Sequence, residues 1–150
     1  MSTDTDLIKL YSGRILELAA DIPHAERLAA PMASARRRSP LCGSTVTADV
    51  TLRDGRVAEF GQEVKACALG QAAAAVLGAN VIGRDRAAIA RARDDLQAML
   101  KESGEPPAPP FEGLEVLLPA RGYKNRHASI MLAFDATLEA IDEAAKAECA

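Results

Sequence analysis

Two runs of alternating residues, joined by an Asp-Gly pair, constrain the fold of this chain more than any other feature. Thr45–Leu52 alternates apolar residues with threonine and aspartate, and Val57–Lys65 follows as a second strand-like run. Strict alternation is typical of a strand with one buried face. Asp54-Gly55 lies between the runs and is a strong turn signal. The sequence therefore predicts a β-hairpin.

The register of this hairpin depends on the length of its turn. A two-residue turn would place Phe60 opposite Asp49, which would put a ring against a carboxylate. A three-residue loop with Gly55 in the left-handed conformation pairs Phe60 with Ala48 instead and keeps the apolar face together. We therefore expect a type I turn followed by a G1 bulge at Gly55.

Helical spacing of apolar residues predicts four helices around the hairpin. They cover residues 4–20, 67–83, 83–104 and about 124–146. Asp4 or Thr5 can cap the first, Asp85 can cap the third, and Gly104 can stop it. The last has a buried stripe formed by His127, Ile130, Met131, Phe134, Leu138 and Ile141. Cys149 is expected in a tail beyond it.

The segments between these elements contain breakers and charge. Residues 20–31 are a connector bounded by prolines, "EPPAPP" is an extended spacer, and "FEGLEVLLPA" can hold one helical turn. The run Arg36-Arg37-Arg38 suits an exposed edge strand, where charge prevents further pairing. It could equally be a docking patch for an acidic partner.

The order helix, strands, helices indicates an α+β fold, with helices packed on one face of a small antiparallel sheet. At 150 residues, with 49% hydrophobic and 26% charged residues, the chain is expected to form one globular domain over residues 1–150. Aromatic residues are only 3% of the chain. The core must therefore be built mainly from alanine, leucine, valine and isoleucine.

Composition also bounds the function. A net charge of −3 argues against nucleic-acid binding. No apolar run reaches the roughly 18–20 residues that a membrane span needs, and the N-terminus lacks a secretory signal pattern. The chain is therefore expected to be cytoplasmic. Its three cysteines are then expected to be free, metal-bound or reactive thiols rather than disulfides.

Two of the cysteines flank the hairpin. Cys42 precedes the first strand and Cys67 follows the second, so the fold would bring both thiols to the same end of the sheet. Cys67 also begins a helix, where the dipole and free N–H groups favour a thiolate. Together with His127 they would form a soft site suited to zinc or iron. The alternative is that Cys42 and Cys67 are small buried hydrophobic residues and His127 a core histidine.

The chain resembles the U-type iron–sulfur assembly scaffolds, which are the IscU and SufU proteins and the N-terminal domain of NifU. The likeness covers "LIKLYSGRILELA", "LCGSTVTADV" through "KACALGQAAAAVLGA", "LLPAR" and "HASIMLAFDATLEAI". Its markers are a Cys-Gly pair that opens a strand, a Cys that opens a small-residue helix about 25 positions later, and a Leu-Pro-Ala-Arg segment before the last helix. The resemblance implies a three-stranded sheet with an exposed site for a nascent cluster or zinc, held by three cysteines and an acidic residue.

Mapped onto this sequence, that ligand set is incomplete. Cys42 and Cys67 take the first two cysteine positions, and Ser44 stands where the family's Cys-Gly-Asp has its acidic residue. The third cysteine position falls on Ala128 or Ser129. His127 matches a histidine that precedes the third cysteine in some members.

The resemblance implies a scaffold that accepts sulfur and iron and passes on a cluster, rather than an enzyme that turns over a small substrate. Its partners would be a cysteine desulfurase and acceptor apo-proteins or a chaperone, and a homodimer would supply four thiols. Two alternatives stay open. One is a SufU-like, zinc-dependent sulfur acceptor that uses Cys42. The other is a metal-free interaction module that has kept the fold.

Overall fold

The structure is a computed structural model that describes residues 12–40 and 43–149, with side chains through residue 147. The described residues form three strands: β1 (Ala33–Arg38), β2 (Thr45–Arg53) and β3 (Arg56–Lys65). They also form four α-helices: α1 (Gly13–Ala20), α2 (Ala68–Asn80), α3 (Arg86–Lys101) and α4 (Lys124–Cys149). A 3-10 helix covers Glu112–Gly122.

The sheet is antiparallel in the order β1-β2-β3, and helix α4 lies across its inner face against β1 and β2. Helices α2 and α3 pack against α4 in turn. This confirms the α+β prediction of helices packed on one face of a small antiparallel sheet. β1 is an edge strand, as expected, and the side chains of Arg36, Arg37 and Arg38 are exposed.

The predicted hairpin is present, but its predicted register is wrong. Asp54 and Gly55 both have positive φ, 55° and 76°, as a two-residue type I′ turn requires. The bulge lies earlier in the chain, between Thr51 and Leu52 of β2, rather than at Gly55. This shift places Phe60 opposite Val50. The tight turn therefore keeps the twist of the hairpin, and the bulge keeps the apolar face together.

The helix predictions are mostly confirmed. Asp85 caps α3 by accepting a 2.9 Å hydrogen bond from the Ala88 N–H, and the Gly104 N–H closes its end on the Ala98 carbonyl at 2.9 Å. Ser12 caps α1, whereas residues 4–11 and their expected caps lie outside the described residues. Within the described part of the chain, no helix is long and apolar enough to cross a bilayer.

Two predictions about the C-terminal half need correction. The segment after the proline spacer forms a 3-10 helix of 11 residues rather than one helical turn. Its apolar positions Leu114 and Leu117 are buried, which stabilises the longer element. Helix α4 extends to Cys149, so this cysteine is not in a tail beyond the helix.

The outer face of the sheet is covered in part by the connector 21–31. Asp49, whose position on the polar face of β2 suggests exposure, is completely buried beneath it. Among the described residues its oxygens accept four hydrogen bonds: Arg27 Nε at 2.7 Å and Nη2 at 3.0 Å, the Leu28 N–H at 2.9 Å, and Ser34 Oγ at 2.5 Å. A single carboxylate therefore ties the connector to β1 and β2.

The pKa of Asp49 is consistent with its role in joining the connector to the sheet. Burial alone raises the pKa of the Asp49 carboxyl, because it penalises the charged form. The hydrogen bonds and the positive charge of Arg27 outweigh that effect and hold the pKa of Asp49 below its ordinary value. A group whose pKa is lowered on folding adds stability above its unfolded pKa. That contribution is lost as the pH falls through the lower folded value.

We expect Asp49→Asn to lower the free energy of unfolding at neutral pH by about 2–3 kcal/mol, because an amide cannot accept from all these donors. The difference in free energy of unfolding between the variant and the wild type should shrink as the pH falls below about 4, because the aspartate of the unfolded wild type becomes protonated there. Urea denaturation across this range measures both effects. The control is Asp54→Asn, an exposed turn residue, with an expected change under about 0.5 kcal/mol. Equal effects of the two variants would contradict the role of Asp49.

Candidate functional site

Cys67 lies at the junction between the sheet and the small-residue helix. It is the N-cap residue of α2, two positions after β3 ends, and its side chain is half-buried. Its Sγ lies 3.6 Å from Ser129 Oγ in the first turns of α4. This contact joins positions 62 residues apart in the chain. The fold therefore places Ser129 beside Cys67.

Ser129 also contacts the start of β2. Its Oγ donates a hydrogen bond to Ser44 Oγ at 3.2 Å, and both serines are almost fully buried. The atoms Ser44 Oγ, Ser129 Oγ and Cys67 Sγ thus form a continuous chain of polar contacts. We call these three residues the Cys67 cluster.

The strand register explains why the cluster forms at this end of the sheet. Thr45 pairs with Lys65, so the residue before β2 and the residues after β3 lie side by side. The Ser39 N–H donates to the Ser44 carbonyl at 2.8 Å, and the Gly43 N–H donates to the Ser39 carbonyl at 3.0 Å. Gly43 has a φ of 73°, which a residue without Cβ adopts readily. These bonds hold Ser39 and Gly43 close to Ser44 of the cluster.

Cys42 itself lies outside the described residues. The expectation that its thiol lies within about 4 Å of Cys67, as two thiolates sharing one metal would, therefore stays a prediction. Among the described residues, no group of three histidine, cysteine, aspartate or glutamate side chains is arranged to hold a metal ion.

The two candidates for the third cysteine position have different surroundings. Ser129 is buried and contacts Cys67, whereas Ala128 is half-buried and lines a different groove beside Arg38 and Lys124. A row of small residues in the sequence of α4, separate from its apolar stripe, could have indicated that Ser129 is the buried one of the two. Ser129 begins a row of small buried residues on α4 that continues with Ala133, Ala136 and Ala140.

His127 is buried, as its place in the apolar stripe suggests. Its Nε2 lies 2.9 Å from the Ala120 carbonyl oxygen of the 3-10 helix. This ring nitrogen therefore has a partner in the fold, which is the arrangement expected of a core histidine. The role of His127 as a metal ligand stays a prediction.

A glycine permits the close approach of α2 and α4 at the Cys67 cluster. A Cβ built on Gly70 would lie 2.8 Å from Ser129 Oγ and 3.0 Å from the Ser129 carbonyl oxygen. Real Cβ atoms rarely come so near to backbone oxygen. Any larger residue at position 70 would force α4 away from α2.

We expect Gly70→Ala to destabilise the protein by about 1–3 kcal/mol, because overpacking outweighs the better helix propensity of alanine. Gly13→Ala is the matched control, since a Cβ there meets nothing within 4 Å. It should be neutral or slightly stabilising. Thermal unfolding of both variants measures the difference. A Gly70→Ala protein as stable as Gly13→Ala would show that α2 and α4 are not closely packed in solution.

Comparison with known proteins shows which family the chain is related to. No protein-family model and no curated protein matches the sequence. A solved structure does: the N-terminal part of a nitrogen-fixing NifU-like protein from Brucella abortus has 44% sequence identity and a TM-score of 0.91. The match covers 94% of this chain and 98% of that one.

Two more distant structures share the fold. A putative iron–sulfur cluster assembly scaffold protein for the SUF system from Fervidobacterium islandicum AW-1 has 16% identity and a TM-score of 0.79, with 89% of this chain and 98% of that chain covered. A hypothetical protein has 20% identity and a TM-score of 0.73, with coverage of 90% and 98%. At these identities the likeness concerns the fold alone. The 44% identity over nearly the full length is decisive, and the chain belongs to the family of NifU-like N-terminal domains.

Proposed function

We propose that this chain is an iron–sulfur cluster assembly scaffold of the NifU type, acting as one domain over residues 1–150, that holds its iron and sulfur cargo on a reduced ligand set. The observation that carries the proposal is the chain of contacts from Cys67 Sγ through Ser129 Oγ to Ser44 Oγ. These are the positions where the resemblance implies two cysteines and an acidic ligand. The 44% identity to the NifU-like protein from Brucella abortus supports a role in this process.

The donor chemistry predicts weak and short-lived binding. Thiolates are strong ligands for iron and zinc, whereas neutral serine hydroxyls rarely bind either metal. Cys42 would add a second thiolate to Cys67, and His127 would be a third ligand only by leaving the Ala120 carbonyl. Two thiolates fit a site that receives cargo and releases it quickly. A homodimer would supply four thiolates to one cluster.

The sulfur would come from a cysteine desulfurase. We propose Cys42 as the accepting thiol: its thiolate attacks the outer sulfur of the desulfurase persulfide, a new S–S bond forms, and the desulfurase cysteine leaves as a thiolate. The cargo would then pass to acceptor apo-proteins, directly or through a chaperone. This scheme places the protein in the cytoplasm and assigns it no turnover of a small substrate.

One observation favours a second candidate, the metal-free interaction module. Two of the three residues in the Cys67 cluster are serines already hydrogen-bonded to one another. A satisfied, buried pair of hydroxyls stabilises the fold without any metal. The two candidates differ in what the purified protein carries.

Anaerobic purification followed by iron, sulfide and zinc analysis and visible absorption separates them. The scaffold proposal expects bound metal or a cluster chromophore in the wild type, and its loss in Cys42→Ser and in Cys67→Ser. Metal content that is equally low in all three proteins, after reconstitution with iron and sulfide as well, would favour the interaction module.

Restoring the missing thiolate should strengthen the site. We expect Ser129→Cys to tighten zinc binding by at least about tenfold, because the new sulfur would stand beside Cys67. Ala128→Cys is the matched control, since it adds the same thiol one residue away, beside the separate groove. Competition with a chromophoric chelator measures both affinities. Equal affinity of Ser129→Cys and the wild type would mean that no metal is bound at the Cys67 cluster.

Alkylation tests the two native thiols in the unmodified chain. Cys42 and Cys67 should both react in metal-free protein near neutral pH, and both should be protected by added zinc or iron. Cys149, in the last turn of α4, should react at the same rate with and without metal. Mass-spectrometric mapping of each cysteine gives the three rates. If Cys42 and Cys67 are inert throughout, or metal protects neither, they are packing residues.

A further inference from the structure

A second feature of the surface lies outside the Cys67 cluster. The end of β1, helix α3 and the first turns of α4 enclose a groove of about 330 Å³. Arg38, Lys101 and Lys124 line it, one from each of these elements, and Met131 and Leu132 form an apolar part of its wall. We call it the basic groove. No thiol of the described residues lines it, although His127, the possible third metal ligand, does.

The groove carries more positive charge than its own carboxylate can balance. Arg37 is paired with Glu139 at 3.3 Å, and Arg93 with Asp135 at 2.9 Å. Arg38, Lys101 and Lys124 are exposed, and no ion-pair partner for them is found among the described residues. Asp135 is the one acidic residue among the groove's lining residues. Three uncompensated cations therefore face one concave surface in a chain whose net charge is −3.

Helix α4 adds to this positive field. Lys124 and Ala128 near its N-terminus line the groove, and its first turn contains no acidic residue. A helix N-terminus carries partial positive charge and normally attracts aspartate or glutamate. Here Lys124 and Arg126 stand in that turn instead. An anionic partner would relieve the repulsion.

We propose that the basic groove is a docking site for an acidic segment of a partner protein. The cations come from three separate elements, which suits a row of carboxylates. The run Arg36-Arg37-Arg38 thus acts as more than a solvated edge, because its last residue contributes to the groove.

The test is fluorescence anisotropy of the full-length protein with a labelled peptide of Asp-Glu-Leu repeats. A peptide of Asn-Gln-Leu repeats is the uncharged probe. We expect the acidic peptide to bind and its affinity to fall as salt is raised, because exposed charges are screened. The uncharged peptide should bind at least about tenfold more weakly.

Charge reversal locates the contact. Arg38→Glu combined with Lys101→Glu should lower the binding affinity for the acidic peptide by roughly tenfold or more. Arg38→Glu alone should lower it by less. Arg53→Glu is the matched control for the single variant: it is an exposed arginine at the opposite end of the sheet and changes the net charge equally. Circular dichroism checks that each variant is folded, and zinc binding checks that the Cys67 cluster is unaffected.

Three results would overturn the proposal. If Arg38→Glu and Arg53→Glu weaken binding of the acidic peptide equally, the effect of charge is nonspecific. Equal binding of the acidic and uncharged peptides would mean that the cations do not select the ligand. Displacement of the peptide by inorganic phosphate or by a short oligonucleotide at lower concentration than by unlabelled peptide would assign the groove to those ligands. Failure of the metal-binding proposal leaves each of these results unchanged.

Discussion

The close packing of α4 against α2 and the sheet is the constraint on which the candidate site depends. Helix α4 contacts β1, β2, α2, α3 and the 3-10 helix, so its position sets the position of every other layer. Where it crosses α2, only Gly70 leaves room for Ser129. The same approach brings Ser129 within contact of Cys67 and Ser44. Interiors pack at crystal-like density, so a shift of one helix here would separate all three.

The outer face of the sheet supports this arrangement from the other side. Asp49 lies in the middle of β2 and ties Arg27 and Leu28 of the connector to the sheet. Gln62 on β3 extends the link, because its amide donates to the Ala74 carbonyl of α2 at 3.0 Å and to the Pro23 carbonyl of the connector at 3.3 Å. Connector, sheet and α2 are thus joined by polar side chains, and the strand ends that carry the Cys67 cluster rest on a rigid platform.

The sequence predicted those parts of the fold that depend on local periodicity. The hairpin, the last three helices and the Asp85 cap follow from patterns within single segments. The hairpin register was mispredicted because two different arrangements keep Phe60 on the apolar face. One is the predicted bulge at Gly55, and the other is the observed type I′ turn combined with a bulge at Thr51/Leu52. The burial of Asp49 could not be predicted because its cover comes from a segment more than 20 residues away. The same holds for the contact of Ser129 with Cys67, which joins positions 62 residues apart.

The composition of the Cys67 cluster has an electrostatic consequence for the proposed cargo. A thiolate at position 129 and a carboxylate at position 44 would each carry one negative charge, whereas the two serines carry none. The attraction of a site for an iron or zinc cation scales with the anionic donors that surround it. With Cys42 and Cys67 as its thiolates, the site would hold two negative charges where the family pattern implies four. On the scaffold proposal, such a site would bind cations more weakly and release them sooner, so each serine would favour delivery of the cargo over its retention.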